Sequence, residues 1–265
     1  MMQKLAPAFA CASSLLLAAC VTVPAAGIPV AERPASEMPP ANAATASAKV
    51  HVDLGVAYLQ IGRYAVALDE ARTALASDAA YSPAYHLMGL VYMYIDDNAA
   101  ARDNLQRALA MAPNDPEFNN SYGWFQCMTG EEKEGLARLA LAARNPYYRT
   151  PARPYTNAGL CHLRLGDDAA AEAEFRRAAL LDVGNAKATY HLAAIAYRRA
   201  AYGVARNYLV QLHQQHEPTA ESVWLGARTE RKLGNHEAES SYIAQLRGRF
   251  AGSAEFRAMD QGNYE

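Results

Sequence analysis

The 265-residue chain is short of cysteine, short of β-branched residues and without any long block of charges of one sign. Its formal net charge is only −2, with an isoelectric point near 6.4. That balance argues against nucleic acid as a main partner, because phosphate binding needs a clustered basic surface. No Gly-rich phosphate loop and no nucleophile elbow occurs, and the histidines at 51, 86, 162, 191, 213, 216 and 236 are scattered. A converging set of nucleophile, base and oxyanion donors is therefore missing, and the chain reads as a non-enzyme with no cofactor, no metal and no small-molecule substrate. His213 and His216 are spaced for one helix face, but Glu217 is their only neighbouring carboxylate, so a solvated face is the expectation. The four cysteines are Cys11, Cys20, Cys127 and Cys161.

What is abundant is alanine, which favours closely packed helices. The first residues, MMQKLAPAFACASSLLLAAC, place Lys4 before a short apolar stretch from Leu5 to Leu17. A membrane span needs about 20 apolar residues, so this stretch has the form of a secretory signal. Its ending, Leu17-Ala18-Ala19-Cys20, resembles the bacterial lipobox. The resemblance implies removal of residues 1–19 and acylation of Cys20, with acyl chains holding the chain to a bilayer. Val21 follows, where aspartate would resemble the inner-membrane retention signal, so the implied site is the outer membrane. Residues 20–47 are rich in Pro and Ala and lack helical periodicity, which predicts a flexible tether.

From residue 48 a period emerges. Gly55, Gly89 and Gly123 are 34 apart, Gly159 follows at 36, and Gly226 lies two steps further. The second repeat carries Gly89, Tyr92, Ala101, Ala108 and Pro113; the first carries Leu54, Gly55, Tyr58, Ala67 and Ala74. The fourth carries Gly159, Gly166, Ala171, Phe175 and Ala178. These resemble the tetratricopeptide pattern, in which small residues let two helices of a hairpin cross closely and large ones fill the space between. A single hairpin cannot bury its apolar face, so repeats stack. The reading is an all-α, right-handed α-solenoid of six helix-turn-helix repeats over 48–252, starting near 48, 82, 116, 152, 186 and 219. Residues 253–265 read as a short capping helix or tail. The third repeat is weaker, with Gly135 and Leu139 at its small and aromatic positions, and the fifth has Ala193 for the glycine.

In this pattern function lies on the concave face lined by the first helix of each repeat. Its positions select Val52, Val56, Leu59, Leu90, Met93, Tyr94 and Trp124 at one end. They select Arg153, Arg164, Lys187, Tyr190, Tyr197, Arg198 and Arg231 further on. The groove is thus expected to be apolar first and basic-aromatic later, a surface suited to a helix or an extended peptide. Its alternative is a wider core, or a first groove covered by the tether.

Lipobox, tether and six repeats together resemble the type IV pilus biogenesis lipoproteins. The section FNNSYGWFQCMTGEEKEG with NPYYRTPARPYTNAGLCHLRLGDD carries this most specifically, and the closing GNYE agrees. The resemblance implies an outer-membrane lipoprotein facing the periplasm. It also implies a pilotin that binds the pilus secretin and helps it reach the outer membrane and multimerise. A general periplasmic scaffold for peptidoglycan enzymes or outer-membrane assembly factors is the alternative.

Cys127 and Cys161 fall at positions 12 and 10 of adjacent repeats, in an oxidising compartment by the signal's reading. Two residues at 100° each give about 200°, so one thiol looks forward and the other back across parallel helices, with an axial offset of about 3 Å. A disulfide joining repeats three and four is expected, with two buried free thiols as the alternative.

Overall fold

The computed structural model describes residues 31–264, so the signal-like segment, Cys11 and Cys20 lie outside the described residues. Among the described residues there are thirteen α-helices and no strand. They run α1 (Ala43–Gln60), α2 (Tyr64–Ser77), α3 (Ser82–Tyr94), α4 (Asn98–Met111), α5 (Pro116–Met128) and α6 (Glu132–Arg144). The second half holds α7 (Ala152–Arg164), α8 (Asp168–Leu181), α9 (Ala186–Arg198), α10 (Tyr202–Gln215), α11 (Ala220–Lys232), α12 (His236–Arg249) and α13 (Ala254–Asp260). Each odd helix up to α11 forms a hairpin with the even helix after it, and the odd helices also touch one another in succession. The result is an α-solenoid of six tetratricopeptide hairpins, with α13 packed on α11 and α12.

The 34-residue period has a physical cause at each turn. The residue between the two helices of a hairpin is left-handed at Gly62, Asp96, Gly130, Gly166, Ala200 and Gly234, with φ between 58° and 88°. Four of the six are glycine, which adopts that region without steric cost. Asp96 and Ala200 hold the same conformation against their Cβ, so the register is set by the packing of the helices and not by the turn residue alone. Asp97, Asp167 and Asn235 then cap α4, α8 and α12 by accepting backbone N–H groups. The acidic pairs at 96–97 and 167–168 are thereby placed as helix starts.

The small positions are where the helices cross. Ala67, Ala74, Ala101, Ala108, Ala171 and Ala178 are fully buried, and Leu87, Leu105, Phe118, Phe175 and Leu209 fill the gaps within and between hairpins. The closest crossing is in the weaker third repeat. A Cβ on Gly135 would lie 2.5 Å from the Gly123 carbonyl oxygen and 2.7 Å from Cys127 Sγ. Gly135 and Leu139 therefore belong together: the missing methyl brings α6 onto α5, and Leu139, 1 % exposed, closes the space an aromatic ring fills in the fourth repeat.

One boundary differs from the sequence reading. The flexible tether expected over 20–47 does not describe its second half, because α1 begins at Ala43 and not at 48. Asn42 caps it, its side chain accepting from Thr45 N at 2.9 Å, and the following run of Ala, Thr and Ser tolerates helix. Residues 32–37 are also placed, with a single 3-10 turn at Ala35–Glu37 against the folded body.

Candidate functional site

The odd helices present a row of partly buried apolar side chains at equivalent heights. Val56 and Leu59 on α1, Leu90 and Met93 on α3 and Trp124 on α5 are neither enclosed nor free. Their inner faces rest on the cores beneath, as with Val56 and Leu59 on the first cluster, Met93 on the second and Trp124 on the Cys127–Leu139 cluster. Leu160 and Leu163 on α7 continue the row into the fourth repeat, partly buried on its core. The same repeat arithmetic would have selected them, since they stand at the positions of Leu90 and Met93 two repeats on.

Two expected groove residues belong elsewhere. Val52 is 4 % exposed and sits inside the first core with Ala48, Leu68 and Leu87, so it has no surface for a partner. Val52 is four residues from Val56, so its side chain lies about 40° around α1 from it, within the first core. Tyr94 is 64 % exposed and stacks on Tyr64 with ring centroids 5.7 Å apart, at the rim beside α2.

The basic-aromatic end is largely satisfied from within. Tyr264 of the C-terminal tail rests 4.8 Å from the Trp224 ring, and the Arg231 guanidinium lies 3.8 Å over the Tyr264 ring. Arg228 stands over both Tyr197 and Trp224. Arg198 grips Asp168 with two hydrogen bonds of 2.8 and 2.7 Å, and Arg164 donates to the Met128 carbonyl at 3.1 Å. Arg153 pairs with Glu117 at 3.5 Å. The tail thus covers part of the last repeat, while the half-open apolar row runs through the first four.

Cys127 and Cys161 are fully buried between α5, α6 and α7, and their sulfurs are bonded at 2.03 Å with Cα atoms 5.5 Å apart. They clip the junction that carries the longer α6–α7 loop. Beside that loop a bay of about 610 Å³ opens between the starts of α7 and α9, lined by Arg149, Arg153, Thr156, Asn157, Asn185 and Lys187.

Two of the histidines are strongly shifted by burial. Burial lowers the His86 pKa to about 3, with Arg153 adding to the effect, and lowers that of His191 to about 4. Both rings are neutral and weakly basic near pH 7, unlike a general base. His86 holds Ser121 Oγ at 2.8 Å, a contact between repeats two and three. His213 is not on a solvated face: it holds Ser222 Oγ at 2.8 Å and lies beside Tyr242. Among the described residues no group of three His, Cys, Asp or Glu could hold a metal ion.

Comparison with known proteins bears on both fold and family. The tetratricopeptide repeat model matches residues 82–115 and 152–182, which are the second and fourth hairpins. "Type IV pilus assembly protein PilF" of Pseudomonas aeruginosa is 26 % identical over 207 residues, covering 78 % of this chain and 82 % of that one. The crystal structure of PilW, described as a widely conserved type IV pilus biogenesis factor, superposes with a TM-score of 0.73 at 28 % identity. It covers 80 % of this chain and 97 % of PilW. The Pseudomonas aeruginosa PilF structure shares the fold, with a TM-score of 0.74 at 24 % identity, over 83 % of this chain and all of the other. The chain is a tetratricopeptide-repeat protein that is similar, in sequence and in fold, to the type IV pilus proteins PilF and PilW.

Proposed function

We propose that the chain is a type IV pilus biogenesis factor that acts as a pilotin, a lipid-attached solenoid on the periplasmic side of the outer membrane. Cys20, within its lipobox, carries the acyl chains. The groove of the first four repeats receives a segment of the pilus secretin and promotes its localisation and multimerisation at the outer membrane. The observation that carries this reading is the row Val56, Leu59, Leu90, Met93, Trp124, Leu160 and Leu163, apolar and half-open in four successive hairpins. Such a row costs free energy in water and is offset when an apolar partner covers it. Relatives named for type IV pilus assembly and biogenesis direct the choice of partner.

The test is charge in the groove. A chain with Leu59→Glu and Leu90→Glu keeps its core, because both side chains are already partly solvated. Secretin multimers in the outer-membrane fraction should fall about tenfold or more, while the level of the chain itself is unchanged. Undiminished multimers would overturn the groove assignment. Recovery of peptidoglycan enzymes in place of secretin would point to a general scaffold.

A further inference from the structure

Residues 32–37, Glu-Arg-Pro-Ala-Ser-Glu, lie outside the repeats yet are held by three of them. Asn145 Nδ2 donates to the Glu32 carbonyl at 2.9 Å, and Asn114 Nδ2 donates to Glu32 Oε1 at 3.1 Å. The Ala35 N–H donates to Asp115 Oδ2 at 2.6 Å, and Lys49 Nζ donates to the Ser36 carbonyl at 2.8 Å. Arg149 Nε pairs with Glu37 at 2.6 Å, the Arg33 guanidinium lies 5.3 Å over the Tyr147 ring, and Pro34 is buried.

Three of these contacts are to the backbone of the segment, as in recognition of an extended peptide. Asp115 is the key receptor. It is 1 % exposed, its Oδ1 caps α5 by accepting from Phe118 N at 3.0 Å, and its Oδ2 is left for the segment. With the segment in place that oxygen is shielded from water, and the Ala35 N–H supplies the hydrogen bond a buried carboxylate needs. Asn145, Tyr147 and Arg149 all lie between Cys127 and Cys161, so the disulfide closes the loop that supplies half of the grip.

We infer that residues 32–37 are a docked strap, bound in cis at a lip formed by the α4–α5 and α6–α7 loops, so that the chain leaves the solenoid at its disulfide-joined middle and not at α1. The lip then faces whatever holds the N-terminus. With acyl chains on Cys20, only the 12 residues from 20 to 32 separate bilayer and lip, at most about 40 Å of extended chain. That orientation rests on lipidation, whereas the strap itself does not.

The test is amide hydrogen exchange by NMR on the chain from Cys20 onward. The Ala35 amide should exchange about a hundredfold more slowly than that of exposed Ala41. Asp115→Asn keeps an oxygen to cap α5 but turns an N–H towards Ala35. It should erase the Ala35 protection while that of α5 remains. Reduction of the disulfide should weaken the Ala35 protection as well. Equal exchange at Ala35 and Ala41 in the unaltered chain would overturn the strap, whether or not Cys20 is acylated. So would Ala35 protection that survives Asp115→Asn.

Discussion

Reducing the Cys127–Cys161 bond should cost the solenoid about 3–4 kcal/mol, the chain-entropy value for closing a loop of this length. That is a large share of a stability that is typically about 5–15 kcal/mol. The loss falls at one place. A solenoid is held by contacts between neighbours, so weakening one junction divides it. With both cysteines replaced by serine, the melting temperature should drop on the order of 10 °C. The transition should also broaden as repeats one to three and four to six begin to melt separately. Calorimetry with and without reductant measures both effects. An unchanged transition, together with two titratable thiols in the denatured chain, would show that the bond does not form.

The second large effect comes from a single methyl group. Gly135→Ala should destabilise by about 2 kcal/mol, although alanine is the better helix former by about 1 kcal/mol. The reason is the neighbour: the new Cβ meets the Gly123 carbonyl oxygen at 2.5 Å, and a backbone oxygen cannot swing aside. The same substitution at Gly203 in α10 meets nothing within 4 Å and should stabilise by about 0.5 kcal/mol. Opposite signs at the two sites separate helix crossing from helix propensity in one denaturation series. Because Cys127 Sγ is also 2.7 Å from that Cβ, Gly135→Ala should cost less in the cysteine-free chain than in the disulfide-bonded one. Two destabilisations that simply added would count against a shared crowded site.

Much of this molecule is written in its period. Four expected repeat starts, at 82, 116, 152 and 186, coincide with the first residues of α3, α5, α7 and α9. Glycines and alanines at fixed spacing mark helix crossings, and a crossing leaves little choice of residue. The cysteine positions point to a junction for the same reason, since 200° around a helix and 34 residues along the chain fix two neighbouring faces. The groove is less legible. Val52 and Val56 are alike in type and one turn apart, yet one is core and the other lines the surface. Only the stacking of the next hairpin distinguishes them. The filling of the last repeat by Tyr264 depends on where the tail folds back, which no periodicity encodes. The strap is hidden for a different reason. Its Pro- and Ala-rich composition belongs equally to a free linker, and its partners lie 80 and 113 residues away. Asp115 gave a faint signal: a carboxylate caps a helix with one oxygen, and its second oxygen, when buried, needs a donor.

The measurement that bears most directly on the groove is site-specific photocrosslinking in living cells. A crosslinking side chain at Leu90, on the half-open row, should capture the pilus secretin. The same side chain at Arg72, exposed on α2 behind the groove, should not. Capture at Leu90 that is lost when Leu59→Glu is added would place the secretin segment across the first two repeats. Secretin captured equally from both positions, or from neither, would contradict the groove as the place where this chain meets the pilus.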